Sequence, residues 1–281
     1  MKRVKKVKSL LEENNYKDYM RMCEATGLPY TLYRSNYRVI IESAFCNIDF
    51  MQNVMSNKAF IVGAMIKKDI KNTGLIPPDI DKRSLRYYDF APPKYLQDSE
   101  HTIYNIDIKS AYANVLYTHG IITAKTSRMM QRLPKKDRLA AVGMLASKKN
   151  IFHMEGRKVI AAATEEKDTA NWFLFCVEKT AELMDKCRAI LGGDFLFYWV
   201  DGIFFKNKRN ADKVIKLIEQ EGYKSSFDTC HKFTYNTNKN ERFLTYWKDT
   251  EEGAEYKRLS LPNINSEVDK FILDFLKEIE K

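Results

Sequence analysis

The sequence predicts an α+β protein in which residues 97–281 follow the ferredoxin-like, split βαβ plan, preceded by a mostly helical, basic region over residues 1–96. Three observations carry this expectation. Beyond residue 97, and with the segment between 109 and 167 set aside, the signals run strand, helix, strand, strand, helix, strand. The stretch "FYWVDGIFF" (197–205) is an apolar run broken by Asp-Gly, a strong hairpin signal. "GLIPPDI" and "FAPPKYL" contain prolines that favour extended chain, and they place a boundary near residue 97.

The elements follow in order. Residues 4–14, 16–26 and 50–72 carry helical signals. "HTIYNIDI" reads as a strand, followed by a short helix from Ser110 to His119 that Gly120 stops. A helical insertion over about 120–165 contains "LPKKDRLAAVGMLASKK", with Pro134 near its first turn, and the strand "KVIAAAT" comes near its end. From Asp168 to Leu191 apolar residues recur at helical spacing (Trp172, Phe175, Cys176, Leu183, Met184, Cys187), and Gly192 and Gly193 end the helix. Then come a hairpin from Asp194 to Lys206, a helix from Asn210 to Glu221 and the strand "SSFDTCHKFTYN". A last helix begins at Ser266, which forms a capping-box pattern with Asp269 and turns Phe271, Phe275 and Ile279 inward.

Composition narrows the function classes. With 281 residues, 44% of them hydrophobic, the chain buries one large core or two modest ones. No apolar run approaches the roughly 18 residues of a membrane span, and the basic start lacks the apolar region of a secretory signal, so a cytoplasmic protein without a membrane partner is expected. Five cysteines without a CxxC pair read as reduced thiols, and no zinc site is expected. The net charge of +10 is concentrated in "KRVKKVK", "SKKNIFHMEGRK" and the stretch from Arg128 to Arg138, which implies phosphate-rich partners.

The split βαβ plan has a chemical consequence. Its first strand lies beside its third and antiparallel to it, so the hairpin turn at Asp201 comes next to the carboxyl end of the first strand, where Asp107 sits. Two carboxylates placed there suit Mg²⁺ (or Mn²⁺), a hard ion that takes one or two protein carboxylates together with phosphate oxygens. Such a site serves two-metal phosphoryl transfer. The plainer alternative is that Asp107 caps the following helix and Asp201 merely forms a turn.

"DIKSAYANVLY" resembles motif A of the family B DNA polymerases, with Asp107, Ser110 and Tyr112 in register and Ala111 and Ala113 in place of the family's leucine and proline. "FYWVDGIFF" is similar to motif C, with Asp201 at the second aspartate, Trp199 at the first and Gly202 at the serine. "KKDRLAAVG" is a fainter likeness of motif B, keeping Lys135 and Gly143. "NKNERFLTYWK" looks similar to the family's basic primer-gripping patch. A second likeness, of "LGGDF" to the diguanylate cyclases, is set aside because its glycines stop a helix instead of forming a hairpin turn.

The resemblance implies a polymerase palm with a helical fingers insertion and a small C-terminal helical, thumb-like segment, without an exonuclease domain. It implies a DNA polymerase or other nucleotidyltransferase with Asp107 and Asp201 as catalytic metal ligands and Mg²⁺ or Mn²⁺ as cofactor. Ser110, Tyr112, Lys135 and Arg138 would bind the deoxynucleoside triphosphate, with the Tyr112 ring under the sugar as a gate against ribonucleotides. Lys239, Arg242 and Lys248 would contact a DNA primer–template or single-stranded nucleic acid. A primase or template-independent transferase on the same palm, and a palm that binds nucleic acid without catalysis, stand as alternatives.

Overall fold

A computed structural model describes residues 15–34, 38–44, 47–51, 56–81, 85–86, 88–89, 102–147, 149–155, 158–165, 167–238 and 241–260. In chain order the elements are α1 (Asn15–Thr26), β1 (Pro29–Arg34), β2 (Arg38–Ser43), β3 (Asn47–Met51), α2 (Asn57–Thr73), β4 (Tyr88–Asp89), β5 (Ile103–Ile108) and α3 (Ala111–Thr118). They continue as α4 (Ala124–Gln131), α5 (Lys135–Gly143), β6 (Lys149–Glu155), β7 (Lys158–Glu165), α6 (Ala170–Leu191), β8 (Phe195–Trp199) and β9 (Gly202–Phe205). Last come α7 (Ala211–Gln220), β10 (Ser225–Asn238), β11 (Glu241–Thr250) and β12 (Gly253–Ser260). The described residues form a mixed α+β fold with two antiparallel sheets. Contacts divide the chain into two compact units, residues 1–78 with 120–173 and residues 79–119 with 174–281.

In the first unit the sheet order is β3-β2-β1-β6-β7. The expectation of a mostly helical region over 1–96 is corrected here: α1 and α2 match two of the helical signals, but three strands lie between them. Each is only 5 or 6 residues long, too short for a period to stand out, and the strands are held by burying Tyr30, Val39 and Ile41 against Cys23 of α1. The segment 120–165 is likewise not purely helical. After α4 and α5 it forms the hairpin β6–β7, and β6 pairs with β1 (Tyr30 opposite Met154, Leu32 opposite Phe152). That pairing joins residues from either side of β5, so the two units interleave along the chain and do not meet at residue 97.

Helix α2 is defined by its ends and one face. The Ser56 hydroxyl accepts from the Ala59 N–H at 3.1 Å and donates to Asp137 Oδ2 at 2.6 Å, while Gly74 closes the helix at φ +63°. The buried residues Ala59, Val62, Gly63, Ile66 and Ile70 form one stripe. A Cβ on Gly63 would collide with Met144 Sδ, so a larger residue there would make that flexible side chain move.

In the second unit the sheet order is β12-β11-β10-β5-β9-β8-β4. Its central strands β10, β5, β9 and β8 are the fourth, first, third and second of the strand–helix repeat, each antiparallel to its neighbour. This is the interleaved order expected of a split βαβ sheet. Helix α7 buries Ala211, Val214 and Ile218 and lies against β5 and β10. One parity of the central strands (Ile106, Ile108, Tyr198, Ile203, Phe205) is buried. The other packs Ile103, Phe197, Phe204, Cys230, Phe233, Leu244 and Tyr246 into a single cluster, with the Phe197 and Phe204 rings stacked at 4.3 Å. Burial on both faces is why these strands read as continuous apolar runs.

Strands β11 and β12 were not expected: most of the "NKNERFLTYWK" patch is a strand paired to β10. The helical signal over 4–14, the basic "KRVKKVK" stretch and the last helix from Ser266 lie outside the described residues. Among the described residues no helix is long and apolar enough to cross a membrane.

Candidate functional site

Asp107 is the second-last residue of β5, and its register partners are Gly202 on β9 and Ser226 on β10. Asp201 sits in the two-residue turn joining β8 to β9, and its carbonyl accepts from the Ile108 N–H at 2.8 Å. The two acids therefore occupy adjoining ends of neighbouring antiparallel strands. Both are half-buried, so each is partly within reach of solvent.

The expected hairpin turn is present, with Asp201 in it. The only positive φ in the turn is at Val200 (+53°); neither Asp201 nor Gly202 adopts the left-handed backbone for which such a pair is usually selected. A β-branched residue in that region is strained. Gly202 is needed for a different reason. A Cβ at that position would lie 3.3 Å from Asp107 Oδ1 and 3.2 Å from Asn105 Nδ2, tighter than ordinary contact. The glycine keeps the space over the Asp107 carboxylate clear.

Further residues share the Asp107 parity of the sheet, with Cys230 farther along it, opposite Ile103. Asn105 is buried and donates from Nδ2 to the Ile203 carbonyl at 3.2 Å, which fixes the amide beside Asp107. Asp228, opposite Asn105 on β10, accepts from Lys248 Nζ at 2.8 Å; their side chains are 13% and 23% exposed. Tyr246 is buried, and burial, Cys230 and the carboxylates of Asp107 and Asp228 together push its phenol up, so it stays a neutral hydrogen-bond donor. Burial, with Asp228 beside it, pushes the Cys230 thiol up to about 12, which leaves it inert at neutral pH. Asn105, Asp228 and Tyr246 were missed from the sequence, although an acid on the same parity as buried Cys230 was a usable signal.

Asp107 is not the N-cap residue of the following helix. The N-cap of α3 is Ser110, held at φ +58° with no side-chain capping hydrogen bond, and Asn114 Nδ2 donates to the Lys109 carbonyl at 2.7 Å. Tyr112 is half-buried in the first turn of α3, and its carbonyl receives the Cys176 thiol of α6 at 3.7 Å. Asp107, Asp201, Ser110, Tyr112 and Lys248 thus belong to one compact unit, while Lys135 and Arg138 belong to the other. Lys135 is exposed at the start of α5, and Arg138 donates from Nη1 to the Leu133 carbonyl at 3.4 Å. Lys239 and the Arg242 side chain lie outside the described residues. Lys248 already has Asp228 as its charge partner, so a phosphate there would have to compete with that carboxylate. The "LGGDF" glycines form a single 3₁₀ turn at the end of α6, with Gly192 at φ +54°, as expected of a helix stop.

Among the described residues no group of three or more His, Cys, Asp or Glu side chains is gathered to hold an ion. The available set is the pair Asp107 and Asp201, hard oxygen donors of the kind Mg²⁺ prefers, with a glycine in place of any side chain over one of them. That pair fits an ion completed by substrate oxygens, not one caged by protein alone. No protein-family model matches the chain, and no curated protein is significantly similar to it.

Proposed function

We propose that this chain is a metal-dependent nucleotidyltransferase that extends a DNA strand, with its second unit as a polymerase palm of family B type. The observation that carries the proposal is the meeting of Asp107 and Asp201 at adjoining strand ends, with no side chain of residue 202 crowding the Asp107 carboxylate. The interleaved strand order supports it, as does the likeness of "DIKSAYANVLY" and "FYWVDGIFF" to the family's motifs. Bound Mg²⁺ supplies charge neutralisation at the triphosphate and activation of the attacking hydroxyl. Asp107 and Asp201 would hold the ion, with the Asn105 amide, bonded to the Ile203 carbonyl, two residues before Asp107 on the same strand. Within the second unit, Tyr112 would lie under the incoming sugar with Ser110 beside the nucleotide, and Lys239, Arg242 and Lys248 would meet the strand.

Primer extension tests this directly, with a DNA template, an RNA template or none, in Mg²⁺ or Mn²⁺. Asp107→Asn and Asp201→Asn should each reduce incorporation by at least about 100-fold while leaving the circular dichroism spectrum unchanged, because a positioned ion contributes several kcal/mol of charge stabilisation. A loss of only about twofold in either variant would end the metal assignment. Incorporation without template would select the template-independent transferase, and DNA binding without incorporation would select a non-catalytic palm.

A further inference from the structure

The five-stranded sheet of the first unit ends on β7, and among the described residues no strand pairs with its outer edge. All 8 residues of β7, "KVIAAATE", are exposed, Val159 at 50% and Ile160 at 54%. An edge strand presents a row of unpaired backbone N–H and C=O groups, and proteins usually guard it with charges along the strand, with proline or with a covering element. β7 has no proline, its interior from Val159 to Thr164 has no charge, and its two ends carry opposite charges, Lys158 and Glu165. One side of the strand continues a packed apolar row. Tyr30, in the cluster with Cys23, Val39 and Ile41, stands opposite Met154, and Met154 stands opposite Val159 at the open edge.

The register between β6 and β7 decides which residues a further strand would meet. Ala161 lies opposite His153 and Val159 opposite Met154, so Ile160 is one extra residue, a β-bulge. In an unbroken strand Lys158 and Glu165, an odd number of positions apart, would point to opposite faces. The bulge removes that mismatch. Lys158 stands opposite Glu155 and Glu165 opposite Lys149, and on β6 those two partners are an even number of positions apart, so Lys158 and Glu165 share one face. Glu165 accepts from Lys149 Nζ at 3.2 Å, and a carboxylate has about four lone-pair sites, which leaves it able to accept a second ammonium.

We propose that β7 pairs antiparallel with β7 of a second copy of this chain, about a two-fold axis through Ala162. An axis normal to the sheet keeps every residue on its own face, and only residues of one face can stand opposite each other. Centred on Ala162, the pairing sets Ala161 opposite Ala163, Val159 opposite Thr164 and Lys158 opposite Glu165 of the second copy, each of them twice. The bulge at Ile160 is what lets the charges match. Alanines at the centre of the strand let the two backbones approach without large side chains between them. The inference does not depend on the nucleotidyltransferase proposal, because the edge belongs to the first unit and the dimer is measured without metal, nucleotide or nucleic acid.

The test is sedimentation velocity of the full chain at low salt, in which the dimer fraction should rise with concentration between about 1 and 100 μM. Lys158→Glu and Glu165→Lys each set like charges opposite one another at both ends of the pair, and each should weaken the dimer by about tenfold or more. The two substitutions together exchange the charges and should restore the parent affinity to within about threefold, which also shows that the single variants lost affinity and not the fold. Lys213→Glu, the same change of charge at an exposed position of α7 in the other unit, should alter it by no more than about twofold. A monomer across the whole range overturns the proposal, as does a dimer that both single variants leave unchanged, or a double variant weaker than either single one. Should a single variant fail to fold, Ala162→Lys decides: it sets two ammonium groups against each other on the axis, so dissociation supports the pairing and an unchanged dimer overturns it.

Discussion

Gly202 stands opposite Asp107 across the β5–β9 pair, and a single methyl group there would press to within 3.3 Å of the Asp107 carboxylate. This makes Gly202→Ala a probe of position without change of charge. The methyl group should displace the carboxylate and the Asn105 amide by a few tenths of an ångström. Overpacking of this kind costs about 1–3 kcal/mol of stability, whereas misplacing a catalytic group by about 1 Å can cost 100-fold in rate. Incorporation should therefore fall by about tenfold or more in a protein that still unfolds cooperatively. Unchanged incorporation would mean that the Asp107 carboxylate is not at the reacting centre.

Val200 offers the opposite experiment. Its φ of +53° costs on the order of 1–3 kcal/mol for a β-branched residue, and glycine would relieve it at an entropic cost of about 0.5–1 kcal/mol. Val200→Gly should raise the unfolding free energy by about 1 kcal/mol in urea. If Asp201 depends on the rigid turn for its position, incorporation should fall in the same variant. Greater stability with lower activity would show that the strain serves the site.

The Asp228–Lys248 pair beside Asp107 should behave as a partly buried ion pair. Lys248→Met leaves the Asp228 carboxylate uncompensated and should cost about 1–2 kcal/mol, less than for a fully buried pair because water still reaches both groups. Asp228→Asn together with Lys248→Met should recover most of that loss. A double-mutant cycle by chemical denaturation measures the coupling, and simple additivity would mean that the 2.8 Å contact contributes nothing.

Acid stability of the first unit should depend on Asp69. Burial raises its carboxyl, but hydrogen bonds from Thr126 and from the Thr123 hydroxyl and N–H, with the charge of Lys68, bring it below the ordinary value on balance. A carboxyl whose folded pKa is depressed stabilises the fold above its unfolded pKa of about 3.9 and loses that contribution as pH falls through the folded value. Asp69→Ala should therefore lower stability by about 1–2 kcal/mol at pH 7, with the gap narrowing below about pH 4. A gap that stays constant down to the acid transition would assign the effect to packing.

The second unit was far more legible in the sequence than the first. Strands β5, β8 and β9 announced themselves because they are apolar on both faces and bounded by turn residues, and α6 is long enough at 22 residues for its period to be clear. Given those elements, the meeting of Asp107 and Asp201 followed from topology alone. Strands β1 to β3 were not legible, because "PYTLYR" and "RVIIES" become strands by pairing with each other and with β6 more than 100 residues on. Local propensity cannot show such a partner. The Asp-Gly signal found the β8–β9 hairpin, but the left-handed residue of its turn is Val200, and a Cβ on Gly202 would crowd Asp107, which no sequence signal shows.

The pairing of β1 with β6 also sets a schedule for synthesis. Some 120 residues separate the end of β1 at Arg34 from the end of β6 at Glu155, and at roughly 5–20 residues per second the ribosome needs about 6–24 s to deliver the second strand after the first. Through that interval β1, already able to pair with β2, presents an open strand edge, while the β5 and α3 residues that emerge in between belong to a different core. The nascent chain is thus most vulnerable to wrong pairing midway through translation, when a holdase chaperone would have most to protect.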